Sequence, residues 1–380
     1  MEHQEILHRC FRCGYCKLPG NYTDINCPSY LASGFETYSP GGRMWLLRAW
    51  LEEKVALSPR LMEILFSCAA CGNCVQHCAF PEFKDRLLPA FIAGKEALLD
   101  LGQAPGPVRD VLTNLQTHGN PYGLSRKKRE AWAEGLGLDP FTDQEYLFIA
   151  DDVGSYDTRG REIARSVASL LKKMGISFGL PGAGVTSDGN DARDMGESAL
   201  FEDLAYHNIR LFTGKKIQKI ITLSPHTYNA LKNAYPQLGG NFQVFHYTQI
   251  LAFFGYVKDL RGQDIRVTFH DPCYLGRHNG DYDSPRTILR SLPGVHLVEM
   301  DRNRKNALCC GGGGGNVFTN MIPSDGDTAA RSRVREAVDT GADVLAVACP
   351  LCAVMLKDAV IAENIDRELQ VMEVSELLLS

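Results

Sequence analysis

No stretch of this 380-residue chain is apolar for long enough to span a bilayer. An excess of positive charge is missing too. Lys and Arg total 40 against 45 Asp and Glu, for a net charge of −5, which argues against nucleic acid as a partner. The opening Met1-Glu2-His3-Gln4-Glu5 lacks the basic start of a secretory signal, so the expected location is cytoplasmic, where thiols stay reduced. No G-x-G-x-x-G follows a strand-like run, and the one long glycine run lacks a following Lys-Ser/Thr, so a nucleotide or flavin site of the usual kind is excluded. None of the thirteen cysteines lies outside three clusters, a distribution that core filling does not produce.

The first cluster is Cys10-x2-Cys13-x2-Cys16 with Cys27 before Pro28; the second is Cys68-x2-Cys71-x2-Cys74-x3-Cys78. Two-residue spacing wraps a chain round a cubic cluster so that three thiolates meet three iron corners. Zinc sites pair two knuckles or add histidines, and no paired histidines accompany these cysteines. When two such clusters lie together, the fourth cysteine of each motif serves the other. That rule assigns Cys10, Cys13, Cys16 and Cys78 to one [4Fe–4S] cluster, and Cys68, Cys71, Cys74 and Cys27 to another. Ala79 stands where proline usually follows the fourth cysteine. The segments around these motifs, 43–54, 61–66 and 87–101, carry apolar residues at three- and four-residue spacing and read as helices.

The third set is Cys273, the pair Cys309-Cys310 followed by Gly311–Gly315, and Cys349-Pro350-Leu351-Cys352. Adjacent cysteines rarely reach disulfide geometry. Five successive glycines suit a backbone that must pass close to something bulky, and their amides, those of Gly311 and Gly312 first, can face cluster sulfides. His226, His270 and His278 are conceivable proton donors without an assigned role, and Arg302, Arg304 and Lys305 read as a solvated basic turn. From Tyr146 onward short apolar runs alternate with helical periodicity, the α/β pattern. Thr222–Lys232 aligns with Val347–Lys357, and a shift of 122 places Asp151 on Cys273 and Ser187-Asp188 on Cys309-Cys310. In the Thr222–Lys232 alignment, Ser224 and Thr227 fall on Cys349 and Cys352. The expected architecture is α+α/β: a helical two-cluster ferredoxin domain over 1–110, a linker over 111–145, a degenerate α/β unit over 146–262 and a complete one over 263–380.

These motifs, with Gly119–Gly123 and His270–Gly280, resemble the CCG-domain (cysteine-rich) iron–sulfur proteins. The likeness is to the D subunit of heterodisulfide reductase and related iron–sulfur subunits of lactate, glycolate and glycerol-3-phosphate dehydrogenases. The resemblance implies that Cys273, Cys309, Cys310, Cys349 and Cys352 hold a catalytic [4Fe–4S] cluster, cubane or noncubane. The first copy keeps no thiol, and hydroxyls and carboxylates ligate such a cluster poorly, so one special cluster is expected rather than two. The expected function is that of an iron–sulfur subunit of an oxidoreductase complex, active only within it. It would carry electrons through two [4Fe–4S] clusters to or from a site acting on a disulfide or thiol. The alternative is a pure relay between a flavoprotein dehydrogenase and a quinone-linked or soluble acceptor. Implied partners are a flavoprotein, a membrane cytochrome b, or a thiol substrate or carrier protein, the chain being cytoplasmic or peripheral at the inner membrane face through a partner.

Overall fold

In a computed structural model, residues 4–18, 24–255, 264–324 and 326–379 are described. The expected boundary between 262 and 263 lies outside the described residues. The N-terminal part is helical: α1 (Pro28–Ser33), α2 (Pro40–Leu51), α3 (Pro59–Phe66), α4 (Asn73–His77), α5 (Leu87–Asp100) and α6 (Gly106–His118). Proline opens α1, α2 and α3, where its missing N–H costs nothing, and Ser39 and Ser58 cap α2 and α3 with their hydroxyls. Arg43 is the fulcrum. It is 1% exposed and spends its guanidinium on Ser29, Tyr38 O, Ile64 O and Ser67, tying α1, α2 and α3 together.

Two four-stranded parallel sheets follow. The first has the order β2-β1-β3-β4, where β1 to β4 are Tyr146–Ile149, Phe178–Gly179, Lys219–Thr222 and Gln243–His246. The second has the order β6-β5-β7-β8, where β5 to β8 are Ile265–Phe269, Val295–Leu297, Val344–Val347 and Gln370–Glu373. The central strands β1 and β7 are buried along their whole length, as strands covered on both faces must be. Helices α7 (Asp152–Tyr156), α8 (Thr158–Lys173), α9 (Asn190–Asp194), α10 (Ser198–Gly214), α11 (Pro225–Asn229) and α12 (Tyr247–Phe254) belong to the first unit. Helices α13 (Ser284–Ser291), α14 (Asn316–Thr319), α15 (Ala329–Asp339), α16 (Pro350–Ala362) and α17 (Val374–Leu379) belong to the second. Gln243 and Gln370 each begin the outer strand of a sheet, and Leu251 and Leu378 lie in the helices that follow, α12 and α17.

The segment expected to be a linker is packed rather than free. Helix α6 crosses its start, and Arg129, 3% exposed, pairs with Asp152 at 2.6 Å and bonds Gly119 O. Trp132 meets Phe148 of β1 edge-on, and Phe141 N bonds Leu180 O. A buried guanidinium needs a buried partner, which pins this stretch to the first sheet.

Candidate metal centres

In doubly wound sheets ligands sit beyond the carboxyl ends of the strands, where the strand order reverses. Here that place is between β5 and β7. Cys273 leaves β5 after Phe269, and Cys349 leaves β7 after Val347 as the N-cap of α16. Cys349 makes no capping bond with its side chain, so its thiol stays available. Cys352 lies in the first turn of α16, and the loop before α14 brings in Cys309 and Cys310.

All five cysteines are buried, none more than 5% exposed. Cys309 and Cys273 lie 3.8 Å apart, Cys310 and Cys352 3.5 Å apart, and all are free thiols. Cys309 is pushed well up, first by Cys273, and Cys352 well up, first by Cys310. Cys310 is held well down because Cys309 and Cys352 donate to it, with His270 a further contributor. Five thiols so placed cannot all ionise without a cation among them, and thiolate sulfur suits a soft one. The donor set therefore fits an iron–sulfur cluster, with more ligands than a zinc site takes.

The glycine run is fitted to its surroundings position by position. Gly311 N reaches Cys309 Sγ at 3.3 Å, so one amide does face a sulfur. A Cβ on Gly312 would lie 2.3 Å from Leu351 Cδ2. On Gly313 it would meet Ala69 O at 2.6 Å, and on Gly314 Cys68 O at 2.2 Å. The loop thus packs backbone to backbone on the Cys68–Gly72 segment of the N-terminal domain. Across the same contact Arg277 Nε donates to Cys71 O (2.8 Å), and His278 Nε2 donates to Ala70 O (2.9 Å). Asn26 Nδ2 donates to Asn306 O at 3.0 Å and to Asn73 Oδ1 at 2.6 Å. Cys71 is pushed well up, first by Cys309, so the two thiols are neighbours across this contact.

The other eight cysteines fall into two neighbourhoods. One cavity is lined by Cys10, Cys13, Cys16 and Cys78, with Phe11, Met44, Phe80 and Phe83 around them. Burial raises Cys10, Cys16 and Cys78, whereas Cys13 is exposed. Cys74 is pushed well up by burial first and then by Cys68, Cys71, Cys16 and Cys27 around it. Asn73 Nδ2 donates to Cys16 O (3.1 Å), which ties the two neighbourhoods together.

The first sheet repeats this geometry with oxygen for sulfur. Gly189 N bonds Ser187 Oγ at 3.3 Å, as Gly311 N meets Cys309, and Thr227 Oγ1 bonds Asp188 Oδ2 at 2.5 Å, as Cys352 meets Cys310. Asp151 and Ser224 cap α7 and α11 through Gly154 N and His226 N. Burial raises Asp151 to about 7.

The histidines divide. His278 holds the Cys68–Gly72 segment, and His226 stacks on Tyr274 with ring centroids 4.0 Å apart. His270 lies beside Cys310 and Cys352. Arg302 is not in a solvated turn: it is 6% exposed, bonds Ile25 O and pairs with Glu336. Arg333, Lys95 and Asn26 carry no motif signal; all three are buried in the folded chain, where Arg333 bonds His270, Lys95 bonds Asp194 O and Asn26 bonds Asn73 and Asn306.

Residues 6–80 match the 4Fe-4S dicluster domain, and residues 267–357 the cysteine-rich CCG domain. The chain is 36% identical over 329 residues to the probable iron-sulfur-binding oxidoreductase FadF of Bacillus subtilis, over 83% of this chain and 46% of that protein. It is 29% identical to the EtfAB:quinone oxidoreductase of Syntrophomonas wolfei, over 98% of this chain and 58% of that one. It therefore spans about half the length of these two relatives. With the D subunit of the dihydromethanophenazine:CoB--CoM heterodisulfide reductase of Methanosarcina acetivorans it shares 29% identity, over 93% of this chain and 88% of that protein. A hypothetical protein of Helicobacter pylori matches the fold with a TM-score of 0.56 at 11% identity, over 100% of this chain and 72% of that one. No helix among the described residues is long and apolar enough to cross a membrane. The chain thus carries a 4Fe-4S dicluster domain and a cysteine-rich CCG domain, and the proteins it is similar to include iron–sulfur oxidoreductases and heterodisulfide reductase D subunits.

Proposed function

We propose that this chain is an electron wire with a reactive end. Cys10, Cys13, Cys16 and Cys78 hold the first [4Fe–4S] cluster, and Cys27, Cys68, Cys71 and Cys74 the second. Cys273, Cys309, Cys310, Cys349 and Cys352 hold the third. The α/β part is a duplicated unit whose first copy has exchanged its thiols for caps and hydrogen bonds. The observation that carries the reading is that Cys310 and Gly311 line a cavity of about 350 Å³, with Asn316, Ile322, Val354 and Met355 among its walls. Cys71 approaches the same five-thiol site through Cys309. Electrons arrive on one side, and a small molecule has room on the other.

When bound, iron–sulfur clusters supply one-electron storage. The residues of the chain do the rest. Ile322, Val354 and Met355 give the cavity an apolar wall, and Cys310 presents its sulfur to it. A disulfide takes two electrons and two protons to become two thiols, so we assign the cavity to a disulfide or thiol of a small molecule or carrier. The chain would work inside a complex with other redox subunits, at the cytoplasmic side.

The similarity to a protein named EtfAB:quinone oxidoreductase favours a second reading, a relay in which no substrate meets the third site. Anaerobically purified protein should hold about twelve irons, four per cluster. Adding a small aliphatic thiol to oxidised protein should produce a new paramagnetic signal. Met355→Trp should abolish that signal while iron stays at about twelve. No signal with wild type, together with unchanged partner-to-acceptor transfer in Met355→Trp, rejects the thiol site in favour of the relay.

A further inference from the structure

His270 follows β5 and is 0% exposed. Its Nδ1 lies 3.2 Å from Nε of Arg333. A guanidinium can only donate, so Nδ1 must accept and the ring proton sits on Nε2. Arg333 is fixed in turn. It is 0% exposed, and its Nη1 donates to Arg302 O and to Glu336 Oε2, each at 2.7 Å. Nε2 of His270 is buried and has no other hydrogen-bond partner among the described residues. A ring nitrogen of His270 and the sulfurs of Cys310 and Cys352 all lie within 4.8 Å of one another. A buried N–H left without an acceptor is destabilising. The available acceptor is sulfur.

We propose that Arg333 locks His270 in the tautomer protonated on Nε2, that this N–H hydrogen-bonds the Cys310 sulfur, and that the bond raises the reduction potential of the cluster held there. The proposal rests on the reading that Cys310 ligates the third cluster. An N–H donor stabilises the added negative charge of the reduced state, more so in a buried site. Because Arg333 occupies Nδ1, the ring donates while staying neutral. His270 is thus a tuning group on the ligand, and Arg333 a positioning residue behind it.

The test uses the anaerobically purified holoprotein. In His270→Leu the oxidised-to-reduced ratio of the third cluster at a fixed poise should rise about tenfold, equal to about 59 mV for one electron. In His270→Gln, whose amide keeps an N–H, most of that shift should be recovered. Iron should stay at about twelve and the other two potentials unmoved. Arg333→Met should lower the third potential in the same direction, and Arg333→Lys, which keeps a donor, should restore it. Wild-type protein labelled with ¹⁵N-histidine should show one weak nitrogen hyperfine coupling to the third cluster, a measurement that needs no variant to fold. An unchanged potential in fully loaded His270→Leu overturns the proposal, as does a coupling of directly coordinated strength, or none. Survival of the third signal in Cys310→Ser removes the underlying ligand reading instead, whatever the histidine variants show.

Discussion

Side chains at the ends of β1 and β3 have local duties that their counterparts after β5 and β7 do not. Asp151 and Ser224 cap helices, while the Cys349 thiol leaves its helix uncapped by a side chain. Replacing either Asp151 or Ser224 by alanine should therefore lower unfolding free energy by about 0.5–2 kcal/mol, the usual worth of a cap. Iron content should not change, because neither side chain points its chemistry at a cluster. Denaturation together with iron analysis checks both halves, and iron loss in either variant would mean that the first unit is not empty. Cys349→Ser should do the reverse, gaining a hydroxyl cap while losing the third cluster. Sequence spacing sufficed to set these positions against one another. It could not show that oxygen had acquired a capping role, since that depends on where the helix amides point.

Contact between the glycine loop and the Cys68–Gly72 segment joins the N-terminal domain to the third site. Gly314 has a φ of +65°, and its Cβ would fall 2.2 Å from Cys68 O. Gly314→Ala should cost about 2 kcal/mol or more, because left-handed strain of about 1–2 kcal/mol is joined by a backbone clash. With the loop displaced from Cys68, reduction of the third cluster by the first two should slow while iron is retained, as rapid-mixing spectroscopy would report. Gly280→Ala is the control: its φ is +76° but it faces open space, so strain alone should remain and transfer should keep its rate. Sequence reading expected all these amides to face sulfides. Gly311 N faces the Cys309 sulfur, and at Gly312, Gly313 and Gly314 crowding neighbours also leave no room for a side chain. Composition cannot distinguish the two uses of glycine, since both ask for a missing side chain.

The two α/β units meet at a polar seam. Glu373, 0% exposed, accepts from Ser375 N and Oγ and from the hydroxyl of Tyr247, and Arg159 pairs with Glu376 beside it. Burial raises Glu373 to about 8 from 4.5. The folded chain therefore holds this proton more tightly than the unfolded one. The resulting stability is complete below the unfolded value and is lost as pH rises through about 8. Between about pH 6 and 7 the slope should approach one proton, about 1.4 kcal/mol per pH unit, and it should fade as pH passes about 8. Glu373→Gln, which cannot ionise, should flatten that slope in denaturation experiments. An unaltered slope would place the titration elsewhere.

Cysteine spacing made three thiol groups and the α/β alternation legible, because ligand geometry and strand–helix periodicity are local along the chain. The outer strands β2 and β6, of two and three residues, are too short to show a period, and their pairing is supplied by the central strands. Tertiary structure decided which thiols face one another, that Cys71 reaches Cys309, and that Arg333 stands behind His270. Those contacts join residues far apart in the chain, and only burial against a shared core brings them within hydrogen-bonding distance.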